Sequence, residues 1–158
     1  YGLRIGMSES SSTLMLFFGV AGGALLQFPL GCVAYHFNPR KVLIACALAG
    51  LAGAAVWPFV VGVPFLLWTT LFLWWGLFAG IYTVAMILAG QWFKGVELAT
   101  AMAAFGGFWG VGAFVGPMVG GVSMDLWNPY GLPLTLVTVA GLFFVISLFT
   151  RFYCLPKI

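Results

Sequence analysis

The stretch VLIACALAGLAGAAVWPFVVGVPFLLWTTLFLWWGLFAGIYTVAMILAGQWF, residues 42–93, runs for 52 residues without an Asp, Glu, Lys or Arg. A helix rises about 1.5 Å per residue, so this run would form a rod of roughly 78 Å, against a hydrocarbon core of about 30 Å. It must turn back once. The reversal is legible at Val61-Gly62-Val63-Pro64, where Gly62 is expected to supply a positive φ and Pro64 to pre-set the first turn of the next helix.

Working outward, 30 charge-free residues separate Glu9 from Arg40, 27 separate Glu97 from Asp125, and 25 separate Asp125 from Arg151. Each gap fits one crossing. Five spans are predicted, at residues 13–37, 42–60, 65–93, 98–124 and 132–153, in a single transmembrane unit. The fold class is an all-α polytopic membrane protein; uninterrupted apolar runs without alternation argue against a β-barrel. Composition agrees, since 63% of the 158 residues are apolar and only 6% are charged, where a soluble domain carries roughly 25%. The leading residues Tyr1–Gly6 read as the tail of an element already under way, and the chain is expected to be a fragment of a longer protein.

The cations set the orientation, because connections alternate sides with each crossing. Arg40, Lys41, Lys94, Arg151 and Lys157 fall on one face and Arg4 on the other. The five-cation face, with the C-terminus, is expected to be cytoplasmic in a plasma or inner membrane. The net charge of +3 is thus a topology signal, and no nucleic-acid partner is expected. Cys32, Cys46 and Cys154 lack metal-ligand or disulfide-framework spacing and read as small buried hydrophobes. With no nucleophile and base, phosphate loop or metal cluster to assemble, no cofactor, metal or enzymatic activity is expected.

Glycine carries the motifs. In the first span Gly19, Gly23, Gln27 and Gly31 recur every four residues, and the third span has Gly76 and Gly80. The fourth holds Gly106 and Gly110, then Gly112, Gly116 and Gly120, with Pro117 among them. Small residues at this spacing let membrane helices approach closely, and a mid-helix Pro frees a carbonyl and bends the rod.

The stretch Gly112-Ala-Phe-Val-Gly116-Pro117-Met-Val-Gly120-Gly121 resembles the GxxxGPxxGG core of the antiporter-type motif of major facilitator superfamily transporters, complete at its five fixed positions. The stretch Gly31-Cys-Val-Ala-Tyr35-His36-Phe-Asn38-Pro39-Arg40-Lys41 is similar in part to the GxxxDRxGRR cytoplasmic loop of that superfamily. Gly31 and Arg40 agree, and Asn38 can take the left-handed conformation of the motif glycine. Tyr35, His36 and Pro39 stand in place of Asp, Arg and Arg. Leu26–Gly31, Gly80–Thr83 and Met124–Gly131 look like the C-terminal half of sugar-phosphate-like and drug-like facilitators of the YcaD type. The resemblance implies helices eight to twelve of a twelve-helix secondary transporter, part of the C-terminal six-helix bundle. It also implies a small-molecule substrate, the lipid bilayer as surroundings, and an N-terminal half of the same chain as partner.

In that family fold the eighth, tenth and eleventh helices line the cavity while the ninth and twelfth face lipid. The second span, polar only at Cys46, is accordingly expected to face lipid. Cavity candidates are Gln27, Trp75, Tyr82, Thr83, Phe105 and Trp109, where an uncharged amide and facing aromatics could form an apolar, cation-tolerant wall. Pivot candidates are Gly112, Gly116, Pro117, Gly120 and Gly121; the loop motif supplies Gly31, Asn38, Arg40 and Lys41. No charge lies mid-span, so a proton-coupled parent would titrate in its other half, or at Asp125 or Glu97 at a helix end. The competing class is a self-contained five-helix scaffold whose glycine stripes are oligomer contacts; the coding sequence upstream of Tyr1 discriminates the two. The charge asymmetry predicts that a reporter fused after Ile158 is active only on the cytoplasmic side; activity confined to the outer side would reverse the assignment.

Overall fold

A computed structural model describes residues 1–149 of the chain, with five long helices: α1 Glu9–His36, α2 Pro39–Val60, α3 Pro64–Trp92, α4 Gly95–Leu126 and α5 Gly131–Phe149. A short 3-10 turn, Leu3–Ile5, precedes them, and all five helices are long and apolar enough to cross a membrane. Arg151, Cys154 and Lys157, and the end of the fifth predicted span, lie outside the described residues.

Local chemistry places the ends. Ser8 caps α1 by accepting from the Ser11 amide, so that helix begins at Glu9, before the apolar run. Asn38 caps α2 by accepting from the Arg40 amide at 3.0 Å, with Pro39 in the first turn. Its φ of −65° is not left-handed, contrary to the expectation for Asn38. A side-chain oxygen that satisfies the first free amide of α2 does more here than a glycine-like backbone would. Pro64 opens α3 as expected, but Gly62 has no positive φ; those fall on Gly6 and Gly95. The α2–α3 reversal closes instead with the Val63 amide on the Val60 carbonyl, a turn any residue can make. The helices continue through Pro29, Pro58 and Pro117.

The α3 helix is the hub. It packs against α1 on one side and α2 on the other; α2 also carries α5, and α4 rests on α5 with a light touch on α3. Two buried clusters lie toward opposite ends of this arrangement, one around Trp57, Leu67, Leu71 and Trp74, the other around Leu43, Cys46, Val84 and Leu88.

Absent side chains make the seams. Gly22 of α1 lies against the backbone of α3, where a Cβ would run into the Phe72 carbonyl. Gly19, about one turn earlier, and the adjacent Gly23 admit the Trp75 ring, and Gly76 of α3 faces Leu26 and the Gly22 carbonyl. Across the other seam the Trp74 indole occupies the space that Gly53 leaves open and donates to the Gly50 carbonyl at 2.7 Å in a buried bond. Thr135, Thr138 and Ser147 return their hydroxyls to their own helix at Gly131, Leu134 and Phe144, as the sequence implies for hydroxyls in an apolar helix.

The second span has two faces. Val42, Leu43, Cys46, Ala47, Ala54 and Trp57 of α2 are buried against α3 and α5, while Leu48, Val56 and Phe59 stand exposed on the opposite side. Lipid tails and protein interior are equally apolar, so a helix without polar groups can serve both. Packing of this tightness predicts that Gly22→Ala pushes α1 off α3 and costs about 1–3 kcal/mol of stability, read as a fall in the thermal unfolding midpoint in detergent. Gly90→Ala, where nothing lies within 4 Å of the added carbon, is the matched control.

Candidate substrate cavity

Helices α1, α3 and α4 line one side of an open cavity of about 490 Å³. The α3 wall is Tyr82, Met86 and Gly90, spaced four apart on one helical face, with Thr83 and Ile87 beside them. Leu98 and Met102 of α4 stand opposite, also four apart, and the exposed amide of Gln27 closes the α1 side. Three uncharged polar groups, two thioethers and aliphatic carbon therefore line it, in the size range of small-molecule sites, roughly 300–1,000 Å³.

Two further aromatic residues join through Tyr82. Its ring meets Trp109 at 5.4 Å and 61°, and Phe105 at 6.3 Å and 89°, the edge-to-face geometry that ring quadrupoles favour. Phe105 and Trp109 are a helical turn apart on α4, so one face of that helix presents both. Trp109 is 63% exposed, leaving most of its ring open. Trp75 does not join this group. Although it shares the helical face of Tyr82, it is drawn into the α1 seam against Gly19 and Gly23, with Trp74 as its ring neighbour at 6.1 Å. Thr69 and Thr100 bond to their own helices, at the Phe65 and Val96 carbonyls.

The loop motif borders the cavity at one point: a side chain at Gly31 would meet the Thr83 methyl at 3.8 Å. The rest of it is a tight corner. His36 Nδ1 donates to the Cys32 carbonyl at 2.9 Å, Phe37 and Asn38 alone join α1 to α2, and Arg40 and Lys41 occupy the first turn of α2. Cations at a helix N-terminus oppose the helix dipole, typically by 0.3–1 kcal/mol each, so helix stability does not account for their position.

The α4 stripe faces open space. Side chains at Gly112, Gly116 or Gly121 would meet nothing within 4 Å, and only Gly120 packs, against Leu132. Gly120 is also the one buried residue of α4, and Phe114 and Met118 beside Pro117 are exposed. Nothing else among the described residues packs on the GxxxGPxxGG face.

What fixes α4 is its far end. Arg4 donates to the Met124 carbonyl at 2.7 Å and pairs with the Asp125 carboxylate, while Gly131 of α5 sits directly on the Ser123 carbonyl. A cation here complements the exposed carbonyls of a helix C-terminus, which Asp125 alone would oppose. The same leading segment lays Tyr1 on Trp57 at 5.1 Å and Gly2 against Ser12, so it straps α1, α2 and α4 together. Burial, then the neighbouring Tyr130, pushes the Tyr1 phenol above the usual tyrosine range. The pair was not identified from sequence, where 121 residues separate Arg4 from Asp125.

Five apolar helices held by glycine seams, around a cavity with uncharged polar groups, define a multi-pass membrane protein of transporter type. The chain belongs to the Major Facilitator Superfamily, whose model matches residues 2–156. No curated protein and no solved structure matches it. The superfamily is one of transporters and not of enzymes.

The strap predicts coupling between its two charged ends. Arg4→Glu and Asp125→Arg should each lower thermal stability in detergent, and the double exchange should restore part of the loss, with a coupling of about 0.2–1 kcal/mol for so exposed a pair. Strictly additive losses would show that the contact contributes nothing.

Proposed function

We propose that the chain is the C-terminal half of a secondary transporter, related to facilitators of the YcaD type, with α1 to α5 as helices eight to twelve. It moves a small organic solute or drug by alternating access, rocking against an N-terminal half around a site near the middle of the membrane. The carrying observation is an incomplete cavity beside an unpacked glycine face: α1, α3 and α4 wall one side of a solute-sized space, and Gly112 and Gly116 lie open alongside it. Small residues presented to empty space suit a helix whose close neighbour belongs to another bundle.

In this reading Gln27, Tyr82, Thr83, Phe105 and Trp109 contact solute, and Trp75 has a packing role. The loop residues Gly31, Asn38, Arg40 and Lys41 lie on the cytoplasmic side of the plasma or inner membrane, as does the C-terminus. Any proton coupling uses a group of the other half, or Asp125 or Glu97.

The expected outcome in the full-length protein, reconstituted in proteoliposomes, is that Gly112→Leu and Gly116→Leu abolish saturable solute flux while membrane insertion and monodispersity are retained. Retention is expected because a Cβ at either position meets nothing within 4 Å among the described residues. Unchanged flux would remove the pivot role. Residues 1–158 alone should show no saturable flux.

A further inference from the structure

We infer that the solute seated by this half is a flat aromatic molecule, neutral or singly cationic, and not an anion or a polyhydroxylated sugar. The inference rests on the transporter reading above for the location of the site and adds the chemistry of what enters it. It starts from Tyr82, whose hydroxyl-bearing ring lines the cavity and carries Trp109 and Phe105 on it. Trp109, with most of its ring uncovered, offers a π face next to that cavity. A planar ring can stack on such a face, and a cation over it is attracted by the ring quadrupole. Met86 and Met102 supply polarizable sulfur that adapts to ring edges.

The polar groups point the same way. Gln27, Tyr82 and Thr83 give the lining an amide and two hydroxyls, all neutral. A carboxylate or phosphate held there would have no cation among the lining residues, whereas a cation would meet the electron-rich faces of the neighbouring rings. A sugar would present more hydroxyls than three groups can satisfy. Lys94 and Glu97, at the corner just beyond Gly90 and Leu98, carry opposite signs and do not line the cavity, so the corner does not favour anions on net charge.

The test uses the full-length protein in phosphatidylcholine nanodiscs, with empty nanodiscs subtracted. The probes are ethidium, a planar aromatic monocation, and 1-anilinonaphthalene-8-sulfonate, an aromatic anion, each titrated by fluorescence. Ethidium should bind saturably and at least about tenfold more tightly than the sulfonate, the scale of one cation–π contact in a dry site. Tyr82→Ala and Trp109→Ala should each weaken ethidium by about tenfold, and Tyr82→Phe by no more than about twofold, since it keeps the ring. Trp109 is exposed, so its truncation leaves the fold intact and keeps the test valid should Tyr82→Ala fail to fold.

Equal or tighter binding of the sulfonate, or ethidium binding indifferent to Trp109→Ala, overturns the assignment. Saturable proteoliposome flux of an anionic or sugar solute that ethidium does not inhibit would also overturn it while leaving the transporter reading in place. Ethidium binding as expected without flux of any solute would have the opposite effect, supporting the site and sinking the transporter.

Discussion

In a bilayer a helix gains nothing by hiding apolar surface from an apolar solvent, so the α1–α3 seam holds by contact alone. That contact exists because Gly22 has no side chain and its backbone lies on the Phe72 carbonyl, flanked by Trp75 over Gly19 and Gly23. Everything else is built outward from this line. With α1 fixed, the opposite face of α3 can direct Trp74 into the Gly50–Gly53 notch of α2, where one buried indole bond sets the register. The α2 helix then carries α5, and α5 holds the end of α4.

The cavity is a by-product of that order. Tyr82 lies about half a turn, and Met86 under two turns, beyond the last close glycine contact of α3, at Gly80. There α1 no longer touches α3 backbone to backbone, and Gln27 is left exposed between them. Because α4 is fastened at its Met124–Asp125 end and touches α3 through Tyr82, Phe105 and Trp109, the space stays open on its remaining side.

One glycine pattern has two outcomes here. Gly19, Gly23, Gly76 and Gly80 pack as their spacing implies, yet Gly112 and Gly116, with the same spacing and a fuller motif, meet nothing. Spacing puts small residues on one face; it does not say whether that face has a neighbour within the same chain. The case of α2 is similar, since an all-apolar helix reads as lipid-facing while one of its faces is buried against α3 and α5. Trp75 shows the limit for side chains, because helical phase groups it with Tyr82 while a nearby glycine pair takes it elsewhere.

By itself the sequence determined that the chain is helical and crosses the membrane repeatedly. Charge is too costly in hydrocarbon for its positions to be arbitrary, and charge-free runs have a length to match. Ser8, Asn38, Pro39 and Pro64 marked helix starts, because orphan amides and a fixed φ are local matters. Tertiary structure alone decided which helix faces met. That choice turns on shape complementarity between residues far apart, seen in Gly22 with Phe72, Trp74 with Gly50 and Arg4 with Asp125. In a medium where every apolar face is equally comfortable, no hydrophobic pattern could have announced those pairings in advance.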